Sequence, residues 1–167
     1  LDMMVDAVND AQDALGIPVV SGKDSLSGTY DGSKTNEPDI HIPPTLVMSV
    51  MGSTEDVAKT MTTYIKQPGS TLVLVGKPDY QAMGGSTLYD LYDGQSGTVP
   101  KIDLHELKDT LGTMYDAIQT GDVLAAHDVS EGGVSATVAE MLFGGDAGSE
   151  LNFDDSVDIT RHLFNET

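Results

Sequence analysis

Met4, Val8, Ala11 and Leu15 recur at three- and four-residue spacing while Asp2, Asp6 and Asp13 fall on other faces, so residues 1–15 predict an amphipathic helix. Gly16 stands where a helix places the residue after its C-cap, and Ile17–Val20 reads as a short buried strand. Ser, Gly, Asp, Lys and Thr crowd residues 27–40, which predicts a surface loop. The apolar, partly β-branched run Pro44-Thr45-Leu46-Val47-Met48-Ser49-Val50-Met51-Gly52 fits another buried strand. A change of unit is expected around 53–69, where Ser53-Thr54-Glu55-Asp56 can cap a short helical turn and Pro68-Gly69 marks a reversal. Ser70–Gly76 then reads as a strand, the pair Gly84-Gly85 with Ser86 precedes a short helix, and residues 93–97 form a loop.

The strongest helical pattern covers residues 103–120, where Leu104, Leu107, Leu111, Met114 and Ile118 line one face and Gly121 ends the run. A strand over 122–127 leads through Asp128-Val129-Ser130-Glu131-Gly132-Gly133 into a helix over 133–143. Leu151-Asn152-Phe153 reads as a strand and 157–164 as a helix. Strand and helix in alternation predict an α+β (α/β layered) fold. Leu1 is not an initiator Met and the helical pattern is already under way there, so the sequence reads as a piece excised from a larger protein. No internal repeat interrupts this order.

Composition narrows the function classes. The chain has 167 residues, enough for one domain or two partial ones. With 27 Asp and Glu against 8 Lys and Arg, the net charge is −19. Nucleic acid and anionic membranes both need clustered basic residues, so neither is an expected partner. A hydrophobic content of 39% and clear periodicity oppose an acidic disordered chain. The acids are scattered through patterned segments, which reads as a folded protein adapted to a salt-rich cytoplasm, where a short Debye length screens self-repulsion. Zero cysteines exclude disulfides, thiolate metal sites and cysteine nucleophiles. No run reaches the length of a membrane span and no signal pattern opens the chain.

Two segments about a hundred residues apart carry the candidate chemistry: Ile17-Pro18-Val19-Val20-Ser21-Gly22-Lys23-Asp24-Ser25-Leu26 and Val123-Leu124-Ala125-Ala126-His127-Asp128-Val129-Ser130-Glu131-Gly132-Gly133. Each runs from a strand-like stretch into a turn with carboxylate, hydroxyl and glycine, a combination that suits a phosphate and its magnesium ion. The two turns are expected to meet at one ligand. Asp128 can hold Mg²⁺ and Ser130 a phosphate oxygen, while the glycines let a ligand approach and open the next helix with free N–H groups. Equally, Asp128 or Ser130 can be an ordinary helix N-cap. Lys23 can neutralise a phosphate, with Asp24 on a metal and Ser25 on a substrate phosphate, although the spacing is not that of a P-loop and a charged surface turn explains it alone. His127 has no second His or Cys at ligand spacing and reads as a histidine packed at a strand end. His41, His105 and His162 receive no role. The methionines at 3–4 and 48–51 read as core filler.

Taken together, Leu15–Leu26, Pro44-Thr45-Leu46-Val47, Pro68-Gly69 with Leu72–Gly76, Gly84-Gly85-Ser86 and Ala126–Gly133 resemble, in order, the synthetase part of the phosphoribosylformylglycinamidine (FGAM) synthase family, the fourth step of purine biosynthesis. The resemblance implies an aminoimidazole-ribonucleotide-synthetase-like fold, in which a ferredoxin-like A domain pairs with a layered B domain. Residues 1–52 would end the second A domain and 53–167 would be most of its B domain. It implies an ATP-dependent ligase that phosphorylates the amide oxygen of formylglycinamide ribonucleotide and lets glutamine-derived ammonia displace the phosphate. ATP or ADP and Mg²⁺ are the implied cofactors. The implied partners are the remaining A and B domains and a glutaminase domain or subunit.

Carried over residue by residue, the multi-subunit form has Gly-Asn-Val-Ser-Leu after its Pro-Val-Val-Ser, with Gly on ATP, Asn on magnesium and Ser on substrate. Gly22 and Ser25 match, whereas Lys23 replaces the Asn. Gly-Lys-Asp-Ser is the pattern of the large single-chain form. In that form the Asp of the His-Asp-x-Ser turn binds Mg²⁺ and its Ser binds nucleotide at an auxiliary site, and Asp128 and Ser130 match. The family's catalytic histidine and main metal-binding acids belong to the first A domain, so no catalytic residue is assigned here. Two alternatives stand beside this reading. One is another ATP-dependent synthetase or kinase of the superfamily, such as aminoimidazole ribonucleotide synthetase or a selenophosphate or thiamine-phosphate relative. The other is a structural module whose nucleotide only stabilises a domain interface.

Overall fold

Helices form where the periodicity and the caps agree. The structure, a computed structural model, describes residues 2–23, 28–92 and 97–167, and its chain divides into two units, Leu1–Ser53 and Thr54–Thr167.

In the first unit, α1 spans Asp2–Leu15 and ends in a turn whose Gly16 and Ile17 N–H groups both donate to the Gln12 carbonyl (2.9 and 3.2 Å). The predicted loop at 27–40 contains a small ordered hairpin: β1 (Thr29–Tyr30) pairs antiparallel with β2 (Ile40–His41), placing Thr29 opposite His41 and Tyr30 opposite Ile40. Its turn is held by acceptors in the loop itself. Asp31 Oδ1 accepts from the Ser33 N–H at 3.0 Å and Asp39 Oδ1 from the Gly32 N–H at 3.0 Å. The hydrogen bonds from Ser33 keep the Asp31 carboxyl below its usual value.

The second unit holds four helices among the described residues: α2 (Thr87–Leu91), α3 (Leu104–Thr120), α4 (Gly133–Phe143) and α5 (Ile159–Phe164). The turn expected at 53–56 is a single 3-10 turn, Val57–Lys59, capped by Asp56. The core lies where α4 and α5 pack and where the loop at 79–86 meets the chain end: Ala82, Met83 and Met141 are buried with the polar Ser86, Thr137 and Asn165. Asn165, 2% exposed, fixes this core by donating from Nδ2 to the carbonyls of Asp79 (2.9 Å) and Ala82 (3.2 Å). Its Oδ1 accepts from the N–H and hydroxyl of Thr167.

The predicted strands at 17–20, 44–52, 70–76, 122–127 and 151–153 do not form; among the described residues the only ladder is β1 with β2. These segments lack a paired neighbour among the described residues, and the apolar side chains at 17–20, 44–51 and 70–75 stay exposed, whereas Val123 and Phe153 are half-buried. Val47 is 82% and Val73 75% exposed, so the expectation of burial is corrected as well. β-branched alternation selects an extended backbone, but a strand exists only in a ladder. The methionines divide similarly, since Met3, Met48 and Met51 are exposed rather than core.

Helix α3 has the predicted extent. Its apolar stripe is half-covered at Leu104, Leu107, Met114 and Ile118 and exposed at Leu111. Asp103 caps it, with Oδ1 accepting from the N–H groups of His105 (2.9 Å) and Glu106 (3.1 Å). Lys77 pairs with Glu106 at 2.6 Å in the same first turn, and that partner holds the Lys77 ammonium above its usual value. The Glu106 N–H, then that of His105, pulls the Asp103 carboxyl below its ordinary value. A carboxyl with a lowered folded pKa contributes stability that is full above its unfolded value and fades as pH falls through the folded one. The stability gap between the native protein and Asp103→Ala is therefore expected to be constant at neutral pH and to close as acid unfolding curves are collected below the ordinary carboxylate range. A gap that widens in acid would count against the cap.

Candidate functional site

The Asp128–Gly133 turn is built by side chains from elsewhere in the fold. The irregular stretch before it ends at His127, whose side chain is 14% exposed and lies between two oxygens. Nδ1 is 2.8 Å from the Asp128 carbonyl and Nε2 is 3.0 Å from Glu140 Oε2 on α4. His127 is thus a packed histidine, as its sequence context predicts. The Asp128 carbonyl also accepts from the hydroxyl of buried Thr137, one turn into α4 (3.1 Å), so the main chain of Asp128 is tied to that helix. Its carboxylate is not needed for this. The Asp128 side chain is 83% exposed, and its Oδ1 lies 3.4 Å from His127 Nδ1.

The reversal itself requires two glycines. Gly132 (φ 83°) and Gly133 (φ 66°) both occupy the left-handed region, and the Gly133 N–H closes the turn on the Ser130 carbonyl at 2.9 Å. Gly133 also sits against the last residues of the chain, where a Cβ would lie 2.6 Å from the Asn165 carbonyl oxygen and 2.7 Å from that of Leu163. The N-cap of α4 is Gly132, with no side-chain cap. Neither Asp128 nor Ser130 caps the helix, and among the described residues the Ser130 hydroxyl, at an exposed position, makes no hydrogen bond.

The sequence expectation of free N–H groups at the start of α4 holds for Val134 and Ser135, whose N–H groups have no backbone partner among the described residues, but not for the two glycines. Gly133 donates to Ser130, and Gly132 donates to Glu166 Oε1 at 2.7 Å. The same oxygen accepts from the Thr87 N–H at 2.9 Å, at the start of α2. A carboxylate from the chain end therefore satisfies donors that a glycine-rich turn offers to an anion. The Gly84-Gly85-Ser86 turn is explained by the fold: Gly84 N–H donates to the Thr98 carbonyl (2.9 Å) and Ser86 caps α2.

Of the other predicted residues, Gly22 and Lys23 lie in the first unit, in an exposed segment where a Cβ on Gly22 would meet no atom within 4 Å. Asp24 and Ser25 lie outside the described residues. The structure brings Asp128 and Ser130 together in one turn. Sequence reading missed Glu166, Glu140, Thr137 and Asn165. The one available signal was indirect: a helix entered through Gly-Gly has no local acceptor for its first N–H groups, so a distant one must supply it.

Among the described residues no three His, Asp or Glu cluster in a way that could hold a metal ion. A magnesium site does not need such a cage, because the ion keeps water and takes one or two carboxylates together with the phosphates of its ligand. An exposed carboxylate on an immobilised backbone, two residues from an unengaged hydroxyl, has the donor chemistry for one metal contact and one phosphate contact.

Residues 67–166 match the family described as AIR synthase related protein, C-terminal domain, which indicates an AIR synthase-like fold for that stretch. The phosphoribosylformylglycinamidine synthase subunit PurL of Thermus thermophilus is 36% identical over 136 residues, covering 81% of this chain and 18% of its own length. The subunit of the same name from Limosilactobacillus reuteri is 31% identical over 170 aligned positions, covering 100% of this chain and 21% of its own length. The chain thus spans about a fifth of the length of these curated relatives. The resemblance drawn from the motifs is borne out by these similarities. With 67–166 matched, well over half of its residues, the chain belongs to the AIR synthase related protein, C-terminal domain family.

Proposed function

We propose that this chain is one part of an ATP-dependent carbon–nitrogen ligase of purine biosynthesis, an FGAM synthase, and that its Asp128–Gly133 turn contributes to a Mg²⁺–nucleotide site. The observation that carries the reading is the Asp128–Ser130 arrangement: His127, Thr137 and Glu166 hold the backbone, while the Asp128 carboxylate and the Ser130 hydroxyl are left to solvent. Family membership and the similarity to two PurL subunits support the ligase class. The small share of those relatives covered, together with the open apolar segments at 44–51 and 70–75, supports a part that works with further A and B domains and a glutaminase.

On this reading residues 1–52 end an A domain and 53–167 form most of a B domain. The parent transfers the γ-phosphoryl group of ATP to the amide oxygen of formylglycinamide ribonucleotide. Ammonia from glutamine then forms the new C–N bond as phosphate leaves. Ser130 donates its O–H to a nucleotide phosphate oxygen and Asp128 offers a carboxylate to the metal, which when bound neutralises phosphate charge. Gly22 would admit the nucleotide closely, Lys23 and Ser25 would meet the substrate phosphate, and Asp24 would be a second metal carboxylate. The isolated piece is expected to be inactive, because no general base or nucleophile is assigned to it. A cytoplasmic setting rich in salt fits the charge of −19. Among the described residues no helix is long and apolar enough to cross a membrane.

The test uses the protein at its full natural length. Asp128→Asn is expected to weaken Mg²⁺–ADP binding about tenfold or more, the loss of one charge-assisted contact. It should leave the melting temperature unchanged, since the carboxylate is exposed, and affect Mg²⁺-free ADP far less. Ser130→Ala should weaken both forms several-fold. Unchanged affinity in both variants overturns the reading. If affinity falls while turnover per folded molecule is intact, the site is the structural module considered above.

A further inference from the structure

The Glu166 side chain joins the start of α2 to the glycine turn before α4. Its Oε1 accepts from the Gly132 N–H (2.7 Å) and the Thr87 N–H (2.9 Å), donors 34 and 79 residues away in sequence. Its own position is preset by its neighbours. Asn165 is buried and bonded to the Asp79 and Ala82 carbonyls, and Thr167 donates from its N–H to Asn165 Oδ1 and from its hydroxyl to the same oxygen. The residue before Glu166 and the residue after it are therefore both fixed, and the carboxylate is delivered to one place. There it does what no local residue does, because the helix it serves has no side-chain cap.

Building on the Mg²⁺–nucleotide reading, we propose that Glu166 is the positioning residue of the site: its carboxylate occupies the Gly132 N–H and holds the turn there, so that bound phosphate is directed to Ser130 and to the metal at Asp128 instead of to that N–H. Two consequences follow from the geometry. The turn between Asp128 and Gly132 is clamped at both ends, by Thr137 on the Asp128 carbonyl and by Glu166 on the Gly132 N–H, which fixes the backbone that carries the carboxylate and hydroxyl. A fixed negative charge at the helix start also repels an anion that would otherwise settle there. Glu166 touches neither metal nor nucleotide in this scheme.

The full-length protein is titrated with Mg²⁺–ADP and with ADP alone, with affinity expressed per folded molecule from parallel melting curves. Glu166→Gln keeps an acceptor oxygen for both N–H groups, whereas Glu166→Ala removes it. The expected result is a roughly tenfold loss of Mg²⁺–ADP affinity in Glu166→Ala, with Glu166→Gln recovering most of it and Mg²⁺-free ADP little changed in either. Glu166→Gln also covers the case in which the alanine variant does not fold: an affinity a few-fold below native would then support the proposal, and one equal to or tighter than native would overturn it. Tighter binding in either variant means that phosphate binds better at the vacated helix start than at Ser130 and the metal, and overturns the proposal. Unchanged affinity in Glu166→Ala leaves a merely structural clamp and overturns it too. Asp128→Asn in the same series separates the two levels: if it binds like the native protein the site reading itself fails, whereas if it weakens binding and Glu166→Ala does not, only the role of Glu166 falls.

Discussion

Replacing Gly133 by Ala is expected to destabilise the protein by about 3–5 kcal/mol, a large share of a domain's net stability of roughly 5–15 kcal/mol. Two effects add. At φ 66° an L side chain occupies the left-handed region, which costs about 1–2 kcal/mol. The new Cβ would also stand 2.6 Å from the Asn165 carbonyl oxygen and 2.7 Å from that of Leu163, and these are main-chain atoms that cannot rotate away. Relief requires α5 and the chain end to withdraw from α4. That strains the hydrogen bonds of Asn165 to Asp79 and Ala82 and the reach of Glu166 to Gly132. The melting temperature should fall by roughly 10 °C, and nucleotide binding should weaken with it. Gly112→Ala provides the contrast. Gly112 lies inside α3 with open space where its Cβ would be, so the same chemical change should raise stability by about 0.5–1 kcal/mol. A Gly133→Ala protein that melts within a degree of the native one would mean that α4 and the chain end do not approach this closely.

That contrast bears on what a reader of the sequence can reach. Helices α1 and α3 were legible because their determinants are local: an apolar repeat, Gly16 and Gly121 just beyond the ends, and acidic residues at the starts. The Asp128–Gly133 turn was legible for the same reason, since six consecutive residues state the backbone reversal they make. The strands were not. Leu72–Val75 and Leu46–Val50 carry β-branched, apolar side chains, but pairing is a property of two segments, and the one ladder among the described residues joins Thr29–Tyr30 to Ile40–His41, where Asp31 and Asp39 accept backbone hydrogen bonds that fold the chain back on itself. Glu166 lay beyond reach for the same physical cause. Nothing in Asn165-Glu166-Thr167 announces that its carboxylate caps a helix begun 34 residues earlier. What could be read was the vacancy, a Gly-Gly entry without an acceptor. The expectation of free N–H groups fails at Gly132 and Gly133 alone, where donors beside a buried core are rarely left open.

Transfer from molar salt to dilute buffer is expected to be the largest perturbation of all. The chain carries 27 acidic and 8 basic side chains, so no arrangement of ion pairs can neutralise the acids, and the pairs seen at Lys77–Glu106 and Arg161–Asp158 join exposed or half-exposed groups. At 0.1 M ionic strength the Debye length is about 10 Å, comparable to the spacing of surface carboxylates, and each additional negative charge raises the free energy of the compact state. At 1 M it is about 3 Å, and only near neighbours interact. The unfolded chain spreads the same charges over a greater volume and gains less from screening. The melting temperature at neutral pH should therefore climb steadily between about 0.1 and 2 M KCl, by more than 10 °C, and flatten once the Debye length falls below the separation of neighbouring carboxylates. Repulsion and specific caps respond to acid in opposite directions, which separates them. At low salt, mild acidification should at first stabilise the protein by discharging unpaired carboxylates. Below that range the protein should weaken as pH falls through the lowered values of Asp31 and Asp103, whose charged forms the fold uses. A melting temperature independent of KCl, together with monotonic loss of stability from neutral pH downward at low salt, would show that the acidic surface is energetically inert and that local hydrogen bonds alone set the electrostatic balance.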